Sequence, residues 1–151
     1  MNNLSFHITD ITANSIRANA SEIGLSVEEQ DTRIVIRITD NGSGMDAETA
    51  RRVTNPFYTT RTTRKVGLGL PFLIQNAEQT GGSVTLTSEP GKGTKVRAVF
   101  HSDHIDCPPW GDLPGTVALL ITGNPEINVC FEYRSGETGY SISTNEIKEI
   151  L

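Results

Sequence analysis

Gly67 and Gly69 stand one residue apart, directly before a run of residues with the periodicity of an amphipathic helix. Glycine at such a place has two common uses. It lets the backbone turn tightly, or it lets a ligand such as a phosphate approach the N–H groups exposed at the start of a helix. The two glycines alone do not distinguish these uses. Polar residues elsewhere in the chain provide further evidence.

A second set of polar residues lies on one face of a predicted N-terminal helix. Apolar residues recur at helical spacing between Leu4 and Ala20. On a second face of the same helix, intervals of three and four residues separate His7, Asp10, Asn14 and Arg17. Such a stripe is most often a solvated surface, and His7 is expected to be exposed and without a necessary role.

A third set of polar residues follows a strand. Residues 33–39 alternate as a half-buried strand does, and they run into the loop 40–45, Asp-Asn-Gly-Ser-Gly-Met. Taken alone, Asp-Asn-Gly favours an ordinary turn between strands. Asp46 is then expected to cap a short helix that ends near Val53.

The remaining patterns predict the elements that must position these residues. One hairpin is expected from the β-rich runs 23–28 and 33–39, and another from 83–88 and 94–100. The helix that begins at the glycines should end near Gln79, before Gly81-Gly82. Residues 55–66 combine a proline, basic residues and threonines without periodicity, which is typical of a mobile segment.

The composition of the chain changes after Phe100. Residues 102–111 are polar and contain Pro108-Pro109, which predicts a linker between a domain over 1–101 and a small appendage over 112–151. In the appendage, Asp112 can cap a helix, and a hairpin and a short final helix follow. We expect the appendage to pack on the core, and a homodimer is possible.

Composition and charge argue against several functional classes of protein. The chain has 151 residues and a formal net charge of -5, which is opposite to the basic footprint of a nucleic-acid-binding protein. It contains neither an apolar run long enough to cross a bilayer nor an N-terminal secretory signal, so we expect no membrane partner and a cytoplasmic location. Cys107 and Cys130 lack the spacing of a zinc site or a redox pair.

The three polar stretches together resemble a known family. The helix face with Asp10 and Asn14, the loop 40–45 and the glycine run 67–70 occur in the order and spacing of the N, G1 and G2 boxes of the GHKL ATPases. Residues 14–18, Asn-Ser-Ile-Arg-Ala, resemble the repair-protein branch. Residues 55–61, Asn-Pro-Phe-Tyr-Thr-Thr-Arg, look like a run found in many histidine kinases. The resemblance covers about residues 4–100, and further matches are Gly82 and the turn before Thr94.

The resemblance implies a Bergerat-type ATP-binding fold, an α/β two-layer sandwich with a mixed, mostly antiparallel sheet and helices on one face. It implies ATP and Mg²⁺ as cofactors, with Asn14 as the magnesium ligand and Asp10 as the catalytic residue. The residues that it assigns to ATP are Asn14, Asp40, Gly42, Gly44, Met45, Thr59, Thr60, Arg61, Lys65, Gly67, Leu68, Gly69, Leu70 and Thr94.

Elementary chemistry agrees with these implied roles. The side-chain oxygen of Asn14 suits a hard cation, and the Asp40 carboxylate can accept from the exocyclic amine of adenine, which guanine lacks at that edge. Gly67 and Gly69 free the chain to wrap phosphates. Asp10 stands where the family often carries a Glu, and its shorter side chain puts its reach in question.

A Walker A motif is excluded although Gly91-Lys92-Gly93-Thr94 resembles its ending. Leu86 stands where that motif needs its first glycine, and Lys92 is not followed by Ser or Thr.

Our first functional hypothesis is therefore an ATP-binding regulatory protein that resembles the anti-sigma kinases and transfers the γ-phosphoryl group to a partner protein. One alternative is a non-enzymatic module in which ATP orders the segment 55–66 and so changes a docking surface. Another is a slow ATPase without a protein acceptor. An enzymatic role is favoured, and the partner is not identified by the sequence.

Overall fold

The computed structural model describes residues 3–54 and 69–150, so the predicted mobile segment 55–66 lies outside the described residues. In chain order the described elements are α1 (Leu4–Arg17), β1 (Glu22–Gln30), β2 (Arg33–Asp40), α2 (Ala47–Val53), α3 (Gly69–Gln79), β3 (Ser83–Glu89), β4 (Gly93–His101), α4 (Leu113–Thr122), β5 (Asn128–Ser135), β6 (Thr138–Ser143) and α5 (Thr144–Ile150).

The described strands form one six-stranded sheet in the order β3-β4-β2-β1-β5-β6. Neighbouring strands are antiparallel except for β1 and β5, which run parallel. The helices pack on this sheet, so the predicted α/β sandwich with a mixed, mostly antiparallel sheet is confirmed. Asp40, at the end of β2, lies between Ile23 of β1 and Thr94 of β4. The loop 40–45 therefore begins between these two neighbouring strands.

Alternate strand residues face the helices and form the core. In β1, Ile23, Leu25 and Val27 are each at most 1% exposed, as the period of two in a half-covered sheet requires. The helices contribute Leu4, Ile8 and Ile11 from α1, Leu70, Leu73 and Ala77 from α3, and Leu113, Val117, Leu120 and Ile121 from α4. The core therefore holds α1 and α3, which carry the candidate residues, against the sheet.

Asparagine or aspartate side chains cap the starts of α1, α2 and α4. The predicted caps Asp46 and Asp112 are confirmed, since their carboxylates accept from the N–H groups of Thr49 and Gly115 at 2.8 and 3.0 Å. The hydrogen bonds from Thr49 also lower the pKa of the exposed Asp46 carboxyl. Asn3 caps α1, a role that the sequence reading did not assign.

Residues 102–150 contact the rest of the chain closely. The backbone oxygens of Pro109 and Trp110 accept from the N–H groups of Leu4 and Ser5 at 2.8 and 3.0 Å, so this segment anchors the start of α1. Strand β5 then adds to the sheet beside β1, and Phe131 lies opposite Leu25. The division into a domain over 1–101, a linker and an appendage stays a prediction, although both predicted parts contribute strands to one sheet.

Replacing Phe131 by Ala tests whether both parts unfold together. Phe131 is 3% exposed, so we expect the free energy of unfolding to fall by about 3–5 kcal/mol, with Phe131→Leu losing much less. The measurement is urea denaturation followed by Trp110 fluorescence and by far-UV circular dichroism. A variant with two separate transitions, one of them unchanged from wild type, would show that the appendage is an independent domain.

Candidate functional site

A cavity of about 270 Å³ opens between α1, α2, the start of α3, the end of β2 and the start of β4. Its polar lining includes Asn14, Ser15, Arg17, Asp40 and Thr94, while its apolar wall includes Ile11, Ile38, Met45, Val53, Leu70 and Val96. A cavity with an apolar wall and a few convergent polar groups is the usual form of a small-molecule site.

Asp40 is held in the cavity by two hydrogen bonds. One carboxylate oxygen accepts from the hydroxyl of Ser15 at 2.6 Å, and the other accepts from the N–H of Gly42 at 2.8 Å. An ionised carboxylate has about four acceptor positions, so Asp40 keeps acceptor capacity for a ligand. Its orientation is therefore fixed before any ligand arrives.

The beginning of the loop 40–45 is held by hydrogen bonds and close packing. The Asn41 side-chain oxygen accepts from the N–H groups of Ser21 and Glu22 at 2.9 and 3.0 Å, so this side chain holds the loop against the start of β1. Gly42 is buried, and a Cβ at this position would lie 2.7 Å from the Ala18 Cβ. Only a glycine lets the loop approach α1 this closely without displacing it.

The far side of the loop is tied to the β3–β4 turn. Gly44 has φ +70°, a left-handed value that favours glycine, and a Cβ there would collide with the backbone oxygen of Glu89. The Met45 N–H donates to the Ser88 hydroxyl at 2.9 Å, and that hydroxyl lies 2.8 Å from the hydroxyl of Thr94. Ser88 thus connects two predicted site residues.

Asn14 and Arg17 interact directly on the exposed side of α1. The Arg17 guanidinium donates a hydrogen bond to the side-chain oxygen of Asn14, which is the predicted magnesium ligand atom. Both side chains line the cavity. A cation at this oxygen and the Arg17 guanidinium would therefore compete for the same acceptor.

Asp10 adjoins the cavity without lining it. A Cβ placed on Gly69 would lie 2.9 Å from the Asp10 Cβ, so the first residue of α3 packs directly on this side chain. Burial raises the pKa of the Asp10 carboxyl, and the positive charge of Arg17 opposes that rise. The next residue of α3, Leu70, reaches the cavity wall.

The expectation that His7 is exposed is wrong. His7 is 1% exposed, and its Nε2 lies 2.7 Å from the Asn76 amide nitrogen, which comes from α3. His7 is about 40° around the helix from the buried Ile11, close enough to the apolar stripe for α3 to cover it. Burial lowers the pKa of His7 to about 4.

The structure brings part of the predicted site together. The cavity gathers Asn14, Asp40, Gly44, Met45, Leu70 and Thr94, while Gly42 and Gly69 lie directly behind its wall. The remaining predicted ATP residues lie outside the described residues: Thr59, Thr60, Arg61, Lys65, Gly67 and Leu68.

Sequence reasoning missed two residues that support the site. Ser15 follows Asn14 directly, and its place beside a polar stripe could have signalled a role. Ser88 gave no such signal, because its contact with Met45 joins residues 43 positions apart.

Residues 3–104 match the model of the family described as "Histidine kinase-, DNA gyrase B-, and HSP90-like ATPase". The match covers more than half of the chain and contains every described residue of the cavity. The chain belongs to this family. Such a histidine kinase-like ATPase domain is what the three polar stretches indicated.

Several bacterial kinases are similar to this histidine kinase-like domain. Sensor histidine kinase YxdK of Bacillus subtilis is 29% identical over 104 residues, which are 64% of this chain and 32% of that protein. Sporulation kinase C of the same organism is 30% identical over 66% of this chain and 23% of its own length. Sensor kinase CckA of Brucella abortus is 34% identical over 60% of this chain and 10% of its own length. The chain thus spans less than a third of each relative.

A solved structure supports the fold alone. The crystal structure of the N-terminal domain of a DNA repair protein matches with a TM-score of 0.59 at 16% identity, over 95% of this chain and 52% of that one.

In residues 3–54 and 69–150 no helix has the length and apolar character needed to span a membrane. Within the same ranges no cluster of three or more His, Cys, Asp or Glu side chains could hold a metal ion.

The buried His7 predicts a pH dependence of stability. The unfolded chain binds a proton at His7 below about pH 6.5, whereas the folded chain does so only below about pH 4. Stability should therefore fall as the pH drops through this window, by up to about 3 kcal/mol, and the penalty stays constant below it.

The comparison that isolates this effect is urea denaturation of wild type and His7→Phe between pH 7 and pH 4. The variant should lose less stability on acidification than the wild type does. Parallel curves for wild type and His7→Phe would contradict the assignment.

Proposed function

We propose that this histidine kinase-like ATPase domain binds ATP with Mg²⁺ in the cavity and transfers the γ-phosphoryl group to a partner protein. One observation carries the proposal. The Asp40 carboxylate, oriented by Ser15 and Gly42, faces the same cavity as Asn14, and Asp10 lies next to the helix start at Gly69.

The adenine base fits the end of the cavity at Asp40. Its exocyclic amine can donate to the carboxylate, while Met45, Ile38 and Val96 offer apolar contacts to the ring. Guanine presents a carbonyl oxygen at that edge, and two acceptors facing one another repel. This arrangement supports selection of adenine over guanine.

The phosphates fit the end of the cavity at α3. The N–H groups in the first turn of a helix have no partners within the helix, and the helix dipole favours an anion there. Helix α3 spans 11 residues from Gly69, and Leu70 reaches the cavity from its first turn. Arg17 lines the same cavity and can add positive charge.

The oxygen donors of α1 suit magnesium. Asn14 offers a neutral oxygen, and Asp10, one helical turn earlier, offers a carboxylate that can hold a water of the ion. When bound, Mg²⁺ would neutralise phosphate charge. Arg17 has to leave the Asn14 oxygen for that role, and its exposed position makes such a movement inexpensive.

Asp10 is the residue proposed to handle the proton. A hydroxyl oxygen of the partner would form the new bond to the γ-phosphorus, the bond from that phosphorus to the β–γ bridging oxygen would break, and ADP would leave. Asp10 would accept the hydroxyl proton. Burial raises the pKa of Asp10, which makes its carboxylate a better proton acceptor.

A non-enzymatic, ATP-dependent interaction module is the second candidate. The observation that favours it is the position of Asp10, which packs on Gly69 outside the cavity lining. In that case nucleotide binding alone would alter the surface that a partner recognises.

Replacing Asp40 by Asn tests base recognition. Asn presents donors as well as an acceptor, so we expect ATP to bind about 10- to 100-fold more weakly, as the loss of a charge-assisted hydrogen bond implies. Isothermal titration with ATP and GTP measures the change. Asp31→Asn is the matched control, because Asp31 is exposed in a turn at φ 56°, which Asn tolerates. Equal ATP affinity in Asp40→Asn and wild type would refute the assigned base site.

Replacing Asp10 by Asn separates the candidate functions. The variant should keep ATP affinity within about twofold, because the base end is distant, but lose phosphoryl transfer or hydrolysis. Wild type and variant are incubated with γ-labelled ATP and Mg²⁺, alone and with lysate. Labelling of a second protein by wild type alone supports the kinase. Free phosphate alone supports the ATPase, and neither product supports the interaction module.

A further inference from the structure

Two of the contacts between helices α1 and α3 lie at different levels along them. At one level Asp10 packs on Gly69, and at the other His7 meets Asn76. His7 also lies beside Phe72, which is one turn before Asn76 on α3. The relative register of the two helices decides what lies beside Asp10.

The His7–Asn76 contact is a fully buried hydrogen bond. The two side chains are 1% and 4% exposed, and 2.7 Å separates His7 Nε2 from Asn76 Nδ2. An amide nitrogen only donates, so Nε2 accepts and the ring proton resides on Nδ1. The rings of Phe72 and Phe100 lie 5.0 and 6.4 Å from the imidazole, which makes this an otherwise apolar environment.

Stability alone does not account for this bond. Among the residues that the structure describes, the buried His7 Nδ1 has no hydrogen-bond partner, and a buried donor left in that state is unfavourable. An apolar pair of similar volume would avoid the cost and fill the same space. A directional bond supplies what apolar packing lacks, because it is made in one register of the helices and lost in others.

Helix α1 is tied to the sheet by contacts of its own. The Ser15 hydroxyl donates to Asp40, and the Ser43 N–H donates to the backbone oxygen of Ala18 at the end of the helix. With α1 fixed in this way, the bond between His7 and Asn76 acts on α3. A shift of α3 would move Gly69, and with it the phosphate end of the cavity, relative to Asp10.

We propose that the His7–Asn76 hydrogen bond sets the register of α3 on α1 and is a positioning pair for Asp10 at the phosphate end. This inference rests on the proposed phosphate chemistry at that end. It predicts that loss of the bond changes turnover and leaves recognition of the base at Asp40 in place, because Asp40 is held by Ser15 and Gly42.

The test uses the double variant His7→Phe/Asn76→Leu, which replaces the polar pair by an apolar one. We expect the preference for ATP over GTP to stay as in wild type, because Asp40 is held by Ser15 and Gly42 and not by α3. Turnover of labelled ATP should fall about tenfold or more, since small misplacement of a reacting group has such effects. Thermal denaturation should show a folded protein with a transition as cooperative as that of wild type.

Two further variants separate positioning from packing. His7→Gln offers a side-chain oxygen that can accept from the Asn76 amide, so turnover should recover well above that of His7→Phe. Phe72→Leu removes a neighbouring ring and keeps the hydrogen bond, so it should lower stability without lowering kcat. Full turnover in the double variant, or no advantage of His7→Gln over His7→Phe, would overturn the proposal.

Register can also be read without nucleotide. Nuclear Overhauser contacts between Asp10 and the Gly69 α-protons should be present in wild type and weak or absent in the double variant. If wild type neither binds nor turns over ATP, the proposed function fails, while this measurement still decides the register. Unchanged contacts in the double variant would sink the positioning role whatever the nucleotide result.

Discussion

The carboxylate of Asp40 is the point at which the separate parts of the site are joined. It stands at the end of β2, where the sheet register places it between Ile23 and Thr94, and it accepts from Ser15 of α1 and from the N–H of Gly42. One side chain therefore links the sheet, the first helix and the loop that follows β2. A carboxylate in this position needs donors because its charge is partly removed from water.

Close packing of the backbone against residues of the first helix and its C-terminal end is the second requirement, and glycine satisfies it on both sides of the cavity. At Gly42 the loop lies against Ala18, and at Gly69 the start of α3 lies against Asp10. Neither contact leaves room for a Cβ without displacement of its neighbour. Gly69 therefore permits helix packing beside the proposed phosphate end, whereas Gly67 lies outside the described residues.

Local signals in the sequence predicted the elements well. The caps Asp46 and Asp112 and the hairpin 23–40 depend on residues near one another in the chain, so their patterns are visible there. The parallel pairing of β5 with β1 joins residues about a hundred positions apart and has no local signature. The same reason hid Ser88, whose hydroxyl links Met45 and Thr94 only in the folded chain. The remaining site assignments came from the family resemblance and not from local patterns.

The buried position of His7, which was expected to be exposed, shows that one helix can face the sheet, a neighbouring helix and solvent. Around α1 the apolar stripe of Leu4, Ile8 and Ile11 faces the core, and Ser15 continues this stripe toward Asp40. Polar residues occupy the adjoining face of α1, and their exposure differs along the helix. His7 near the N-terminus is covered by α3, whereas Arg17 at the C-terminus is exposed. Periodicity locates the centre of a buried face and not its width, which depends on the helix that packs beside it. A polar residue about 40° from the stripe can therefore be core, and Asp10, which adjoins His7 one turn along, is half-buried for the same reason. That intermediate burial raises the pKa of Asp10, so the packing of α3 and the acid–base character of the proposed catalytic group have one physical origin.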